Sequence, residues 1–216
     1  MGMAGSLTHE TIQGPPPPPP FEGGWGGGGG GNDGRGSSRR ASFTGLWVLL
    51  AASTMVFAAF TSAMVVRRGL SDDWASMPKP PILFVNTVVL LLSSAALDMA
   101  RRALKAGERG RFNTWWTIGS ALGLMFLAGQ TLAWMQLKDA GVYVSTNPSS
   151  SFFYVLTASH AFHLLGGVSA LLYVDVQALR LRLGPAKRTA IDISAIFWHF
   201  LDGLWLYLMV LFYVWG

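Results

Sequence analysis

Five stretches of this chain, at 45–66, 82–99, 115–137, 152–174 and 192–215, are long, apolar and nearly free of charge. Each approaches or exceeds the ~20 residues that a helix needs to cross a hydrocarbon core of ~30 Å. A soluble domain has no use for five such stretches. They predict an all-α, polytopic membrane protein built as a bundle of five transmembrane helices. Composition agrees: 51% of residues are hydrophobic and 12% charged, and mean hydropathy is +0.38 in spite of a polar N-terminal tail. Pro80 and Pro81 mark the start of the second stretch, since proline is tolerated only at the first turn of a helix. Trp47, Trp115, Trp116, Trp134, Phe152, Tyr154, Tyr213 and Trp215 gather at the ends of the stretches, as interfacial aromatic belts do.

The tail, residues 1–41, holds six consecutive prolines (15–20) and a run of six glycines (26–31). Prolines favour an extended helix and glycines a flexible coil, so this segment is expected to be a disordered tether outside the five-helix domain of 42–216. No apolar run precedes Arg39 and Arg40, so no cleavable signal is expected. Cysteine is absent, which excludes disulfides and thiolate-ligated zinc or iron–sulfur sites. The net charge of +5 does not point to nucleic acid, because the basic residues lie in short loops beside apolar stretches. There they set topology. Arg35, Arg39, Arg40, Arg101, Arg102, Lys105, Arg109, Arg111, Arg180, Arg182, Lys187 and Arg188 fall on one side, against Arg67, Arg68, Lys79 and Lys138 on the other. That bias puts the N-terminus in the cytoplasm and the C-terminus outside.

Polar residues inside the stretches carry the functional information. His160 and His163 lie mid-span at i, i+3 spacing, on a face continued by Gly167 and Ala170. His199 and Asp202 repeat that spacing in the last stretch, and the two pairs are expected to form an intramembrane polar seam. The second stretch holds Asn86, Ser93 and Ser94 and ends at Asp98. The third holds Gly119 and Gly123, a small-xxx-small pair, with Gln130 on the same face.

Three histidines and an aspartate are also the right ligand types for a metal, so a stand-alone metal-dependent membrane enzyme is the alternative to hydrogen-bonded glue. A proton relay would need a chain of partners reaching both surfaces, and the remaining polar residues are sparse. No nucleotide loop, Ser-His-Asp order or paired catalytic carboxylates occur, and nothing resembles a transporter repeat. Three histidines crowded into two helices suit haem ligation poorly. The residues themselves point to an accessory subunit, not catalytic alone.

The motifs YVLTASHAFHLLGG at 154–167 and FWHFLDGLWLYLMVLFYVWG at 197–216 resemble subunit III of haem–copper terminal oxidases, meaning cytochrome c oxidase and its quinol-oxidase relatives. LWVLLAASTMVFAAFTSA at 46–63 and NTVVLLLSS at 86–94 agree in order and spacing, so the resemblance covers 45–216. It implies a five-helix form lacking the first two helices of seven-helix members, in a bacterial cytoplasmic membrane. It also implies a chain that binds no haem or copper itself and packs on oxidase subunits I and II, with room for further small subunits. The partners would hold the haem and copper, and this chain would hold phospholipid and support proton uptake and assembly. His160, His163, His199 and Asp202 fall on matching family positions. Ser53 stands where relatives often carry a buried glutamate, and a lipid-headgroup arginine of relatives falls near Gln177, with Arg180 one turn on.

Overall fold

The computed structural model describes residues 33–70, 81–143, 147–180 and 185–215, with side chains at 39–70, 81–143, 147–180 and 188–214. These residues form five helices: α1 (Asp33–Leu70), α2 (Ile82–Lys105), α3 (Arg109–Asp139), α4 (Pro148–Leu179) and α5 (Pro185–Trp215). All five contain a span long and apolar enough to cross a membrane. Every helix outruns its apolar stretch at one end or both, because helical hydrogen bonding does not stop where the side chains turn polar. Of the segment expected to be a disordered tether, residues 1–32 lie outside the described residues, and α1 already begins at Asp33.

Local signals fix the helix ends. Pro81 caps α2, as the proline pair predicts. At α4 the sequence Asn-Pro-Ser-Ser forms a capping box. The Asn147 side chain accepts from the Ser150 backbone N–H at 2.9 Å, and the Asn147 N–H donates to Ser150 Oγ at 3.3 Å. Gly107 and Gly141, just past the ends of α2 and α3, adopt φ values of 80° and 77°, which stop a helix without strain only at glycine.

The chain does not place consecutive helices side by side throughout. α2, α3 and α4 pack in order, but α5 runs against α1, α2 and α4, and α1 touches only α4 and α5. Accordingly 56% of the spanning part of α5 is buried and only 22% of that of α1. α5 is the axis of the bundle. It contributes Trp198, Leu201, Trp205 and Leu208 to a core shared with Leu97, Phe126, Leu156 and Leu164. Without water to expel from between helices in lipid, this core holds by close van der Waals contact, and small residues permit it. A Cβ on Gly119 would lie 2.7 Å from Leu97 of α2, and one on Gly123 would lie 2.6 Å from Trp198 of α5. The glycine pair of α3 therefore serves two different neighbours, one each.

The aromatic belts are only partly as expected. Trp47 and Tyr213 point outward, whereas Trp116 is fully buried and donates from Nε1 to the Leu171 carbonyl at 3.1 Å. It ties α3 to α4, assisted by Thr117 donating to Asp175 at 2.7 Å. Trp215 lies outside the described side chains.

Candidate functional site

Polar groups concentrate where α2 meets α5. On α2, Thr87, Ser94, Asp98 and Arg101 stand at steps of seven, four and three residues, which is one helix face. The facing stripe of α5 carries Trp205, Asp202, His199 and Asp192. Trp205 Nε1 donates to Thr87 Oγ1 at 3.0 Å. Two turns away, Ser94 Oγ donates to Asp202 Oδ2 and lies 2.9 Å from His199 Nδ1. The other ring nitrogen, Nε2, is 3.2 Å from Asp98 Oδ1. Arg101 then bridges Asp98 and Asp192, each at 3.7 Å. The two helices run antiparallel, so these contacts form a ladder from the Arg101–Lys105 rim into the bundle. Exposure falls along it: the Asp98 side chain is 49% exposed and that of His199 32%, while Asp202 as a residue is 6% exposed.

The seam expected between α4 and α5 is thus divided. His199 and Asp202 face α2, and among the described residues no hydrogen bond, ion pair or ring contact joins them to the α4 histidines. His160 is buried against Phe126 of α3 and Trp205 of α5, at ring separations of 6.2 and 5.2 Å, with neither nitrogen hydrogen-bonded. His163 is half-buried and donates from Nδ1 to the Ser159 carbonyl of its own helix at 2.8 Å, with its ring 5.7 Å from Phe57 of α1. The i, i+3 argument places a pair of side chains on neighbouring arcs of one helix but does not say which helix each arc faces. Here α4 is wedged among α1, α3 and α5, and its two rings part. Ser94 and Asp98 were visible as polar residues of the second stretch, and their i, i+4 spacing with Arg101 three further on was the signal for their shared face.

Smaller polar contacts pin the other interfaces. Ser93 Oγ donates to the Gly119 carbonyl at 2.8 Å and Asn86 Nδ2 to the Phe126 carbonyl at 3.4 Å, both between α2 and α3. Ser53, at the position noted above, is buried in α1 and donates to Leu49 O of its own helix at 2.8 Å. Gln130 is buried with neither amide atom hydrogen-bonded. Arg180 caps the C-terminal end of α4 in an exposed position. Among the described residues no three His, Asp or Glu side chains are grouped to hold a metal ion.

Five spanning helices joined by small-residue contacts and by polar ladders define a multi-pass membrane protein of the helical-bundle class. The model of the family described as cytochrome c oxidase subunit III matches residues 44–216, and the chain belongs to that family. It is 30% identical over 174 residues to cytochrome c oxidase subunit 3 of Thermostichus vulcanus, covering 79% of this chain and 85% of that one. Identity is 28% over 177 residues to the cytochrome c oxidase subunit 3 of Synechocystis sp., covering 79% and 74%. A probable cytochrome c oxidase subunit 3 of Nocardia farcinica is 29% identical over 175 residues, covering 78% and 85%.

Proposed function

We propose that this chain is the non-catalytic subunit III of a haem–copper oxygen reductase of the cytochrome c oxidase type, acting in aerobic respiratory electron transport. The observation that carries this reading is a family match running through all five helices, from residue 44 to residue 216. Its partners are then other oxidase subunits, namely subunits I and II, which hold the haem and copper, with further small subunits and phospholipid around them. The chain's own task is to support assembly, to hold lipid and to sustain proton uptake by the catalytic subunit, with Arg180 at the rim as the candidate headgroup contact. His160, His163, His199 and Asp202 act within the bundle as hydrogen-bonding and packing groups. The reading as a metal-dependent enzyme finds no support in the dispersal of those four residues, with His199 and Asp202 facing α2, His160 facing α3 and α5, and His163 facing α1.

The test is a reduced-minus-oxidised spectrum of the complex purified through a tag on this chain. Haem bands should co-purify with it in fixed proportion. A preparation with no haem, or with tightly held metal and no partner, would overturn the proposal.

The location proposed is the bacterial cytoplasmic membrane, with the N-terminus and the rim around Lys105 inside. Since the chain has no cysteine, single cysteines report cleanly. Lys105→Cys and Asp139→Cys, at exposed positions flanking α3, should label with an impermeant thiol reagent from opposite faces, and Lys105→Cys only from the cytoplasmic one. Labelling of both from one face would sink the five-span topology.

A further inference from the structure

The α2–α5 ladder is built differently from the other interhelical contacts. Ser93, Asn86 and Trp116 each donate to a backbone carbonyl, and Thr117 with Asp175, Trp134 with Thr157 and Tyr207 with Thr61 make one side-chain hydrogen bond apiece between helices. The ladder instead joins titratable groups in series, Asp98 to His199 to Asp202, with the Ser94 hydroxyl between the last two. A hydroxyl has one proton to donate and lone pairs to accept with, so Ser94 between His199 Nδ1 and Asp202 admits two arrangements. In one, imidazolium donates to Ser94 and Ser94 donates to a carboxylate. In the other, carboxylic acid donates to Ser94 and Ser94 donates to a neutral imidazole. They differ only by the shift of two protons along the same hydrogen bonds.

We propose that this ladder is a one-sided proton-exchange path, in which Asp202 takes up and returns a proton through Ser94 and His199 to the rim around Asp98 and Arg101. The uptake step balances. Asp98, protonated from water, passes its proton to His199 Nε2, giving imidazolium. His199 Nδ1–H then passes to Ser94 Oγ as the Ser94 proton passes to Asp202 Oδ2. One proton has moved from water to Asp202, and His199, Ser94 and Asp98 are restored to their starting charges.

Two further observations support the path. Its inner end is open: Asp202 Oδ1 is buried and has no hydrogen-bond partner, whereas a purely structural carboxylate would be saturated. Its outer end is wetted by position: Asp98 and Asp192 are 49% and 37% exposed, beside the charged rim of Arg101, Arg102 and Lys105. Asp192 and Asp202 are ten residues apart, so the path reaches about 15 Å into the bundle.

It goes no further. The next polar contact along the seam is Trp205 with Thr87, two turns beyond Ser94 on α2, and an indole N–H can donate but not accept. The flanking elements offer no alternative. α1 and α3 have no ionisable residue at 45–66 or 115–137, and on α4 His160 stacks on Trp205 while Asp175 accepts from Thr117 near the rim.

The full chain, reconstituted in phosphatidylcholine vesicles and sorted by an N-terminal tag, tests this. The N-terminus and the rim share a side, so captured vesicles have the rim outward. After a pH jump in the outer medium, the infrared carboxyl band that Asp202→Asn abolishes is followed in time. In rim-outward vesicles it should respond about a hundredfold faster than in the opposite population, within the range a positioned proton-transfer group contributes. Ser94→Ala should slow the rim-outward response by a similar factor, and Ser94→Thr, which keeps the hydroxyl, should restore it. Should Ser94→Ala fail to fold, Asp98→Asn at the half-exposed outer step gives the decision: a slowed response supports the path, and an unchanged one overturns it. Equal rates from both faces, an unaltered rate in Ser94→Ala, or no band dependent on Asp202 would likewise overturn it.

Discussion

Replacing Gly129 with leucine is expected to part α2 from α3 and to produce the largest loss of stability of any single glycine change in this chain. A Cβ at this position would lie 2.8 Å from Asn86 Cγ and 2.9 Å from its Nδ2, overlapping the carboxamide outright. Asn86 cannot simply swing away, since it is buried in α2 and its amide donates to the Phe126 carbonyl one turn from Gly129. The insertion therefore clashes with a held side chain and also breaks its hydrogen bond. Overpacking alone costs about 1–3 kcal/mol, and a buried amide left unpaired adds about 1–3 kcal/mol. Thermal unfolding of the purified chain in detergent, followed by tryptophan fluorescence, gives the comparison. Gly166→Leu is the control, because a Cβ on Gly166 meets nothing within 4 Å. Equal midpoints for the two variants would show that α2 and α3 are not in the contact described.

The second large effect is expected at Trp198, with a partial rescue built in. Its indole is fully buried and lies where α3, α4 and α5 converge. A Cβ on Gly123 of α3 would sit 2.6 Å from Trp198 Cη2, and one on Gly167 of α4 would sit 3.3 Å from Cε3. Trp198→Ala should destabilise the bundle by about 3–5 kcal/mol through the void it leaves. No hydrogen bond is lost with it, because Nε1 has no partner, so the cost reports packing alone. Gly123→Leu should be destabilising by itself for the opposite reason, filling space that the indole occupies. Combined, the leucine enters the void, and the double variant should be more stable than the sum of the single changes by about 0.5–3 kcal/mol, as neighbours in one contact behave. Strict additivity would place the two residues apart and contradict the convergence of the three helices.

How much of this was legible beforehand follows from which physical rule each feature obeys. The five helices were readable because crossing a hydrocarbon core requires both length and apolarity, and both are properties of a continuous segment. The Pro81 start of α2 was readable for the same local reason: a proline constrains its own turn. The Asn147 capping box is equally local, written in the run Asn-Pro-Ser-Ser. Small-xxx-small spacing marked α3 as a close-packing helix, but spacing could not assign Gly119 to α2 and Gly123 to α5, nor single out Gly129.

The site divides along the same line. Periodicity put His160 with His163, and His199 with Asp202, each on one face of its own helix. Pairing the two faces needed the order of helices around the bundle, which is a non-local property. α5 returns to pack against α2, bringing His199 to Asp98 and Asp202 to Ser94 across more than a hundred residues of sequence. The sequence by itself determined that the chain has five spanning helices, that the second begins at its proline pair, and that buried His and Asp side chains would need partners. The tertiary structure alone decided the partners. A buried polar group can pair across an interface only with what the neighbouring helix presents at its depth, and which helix is the neighbour depends on how all five pack together.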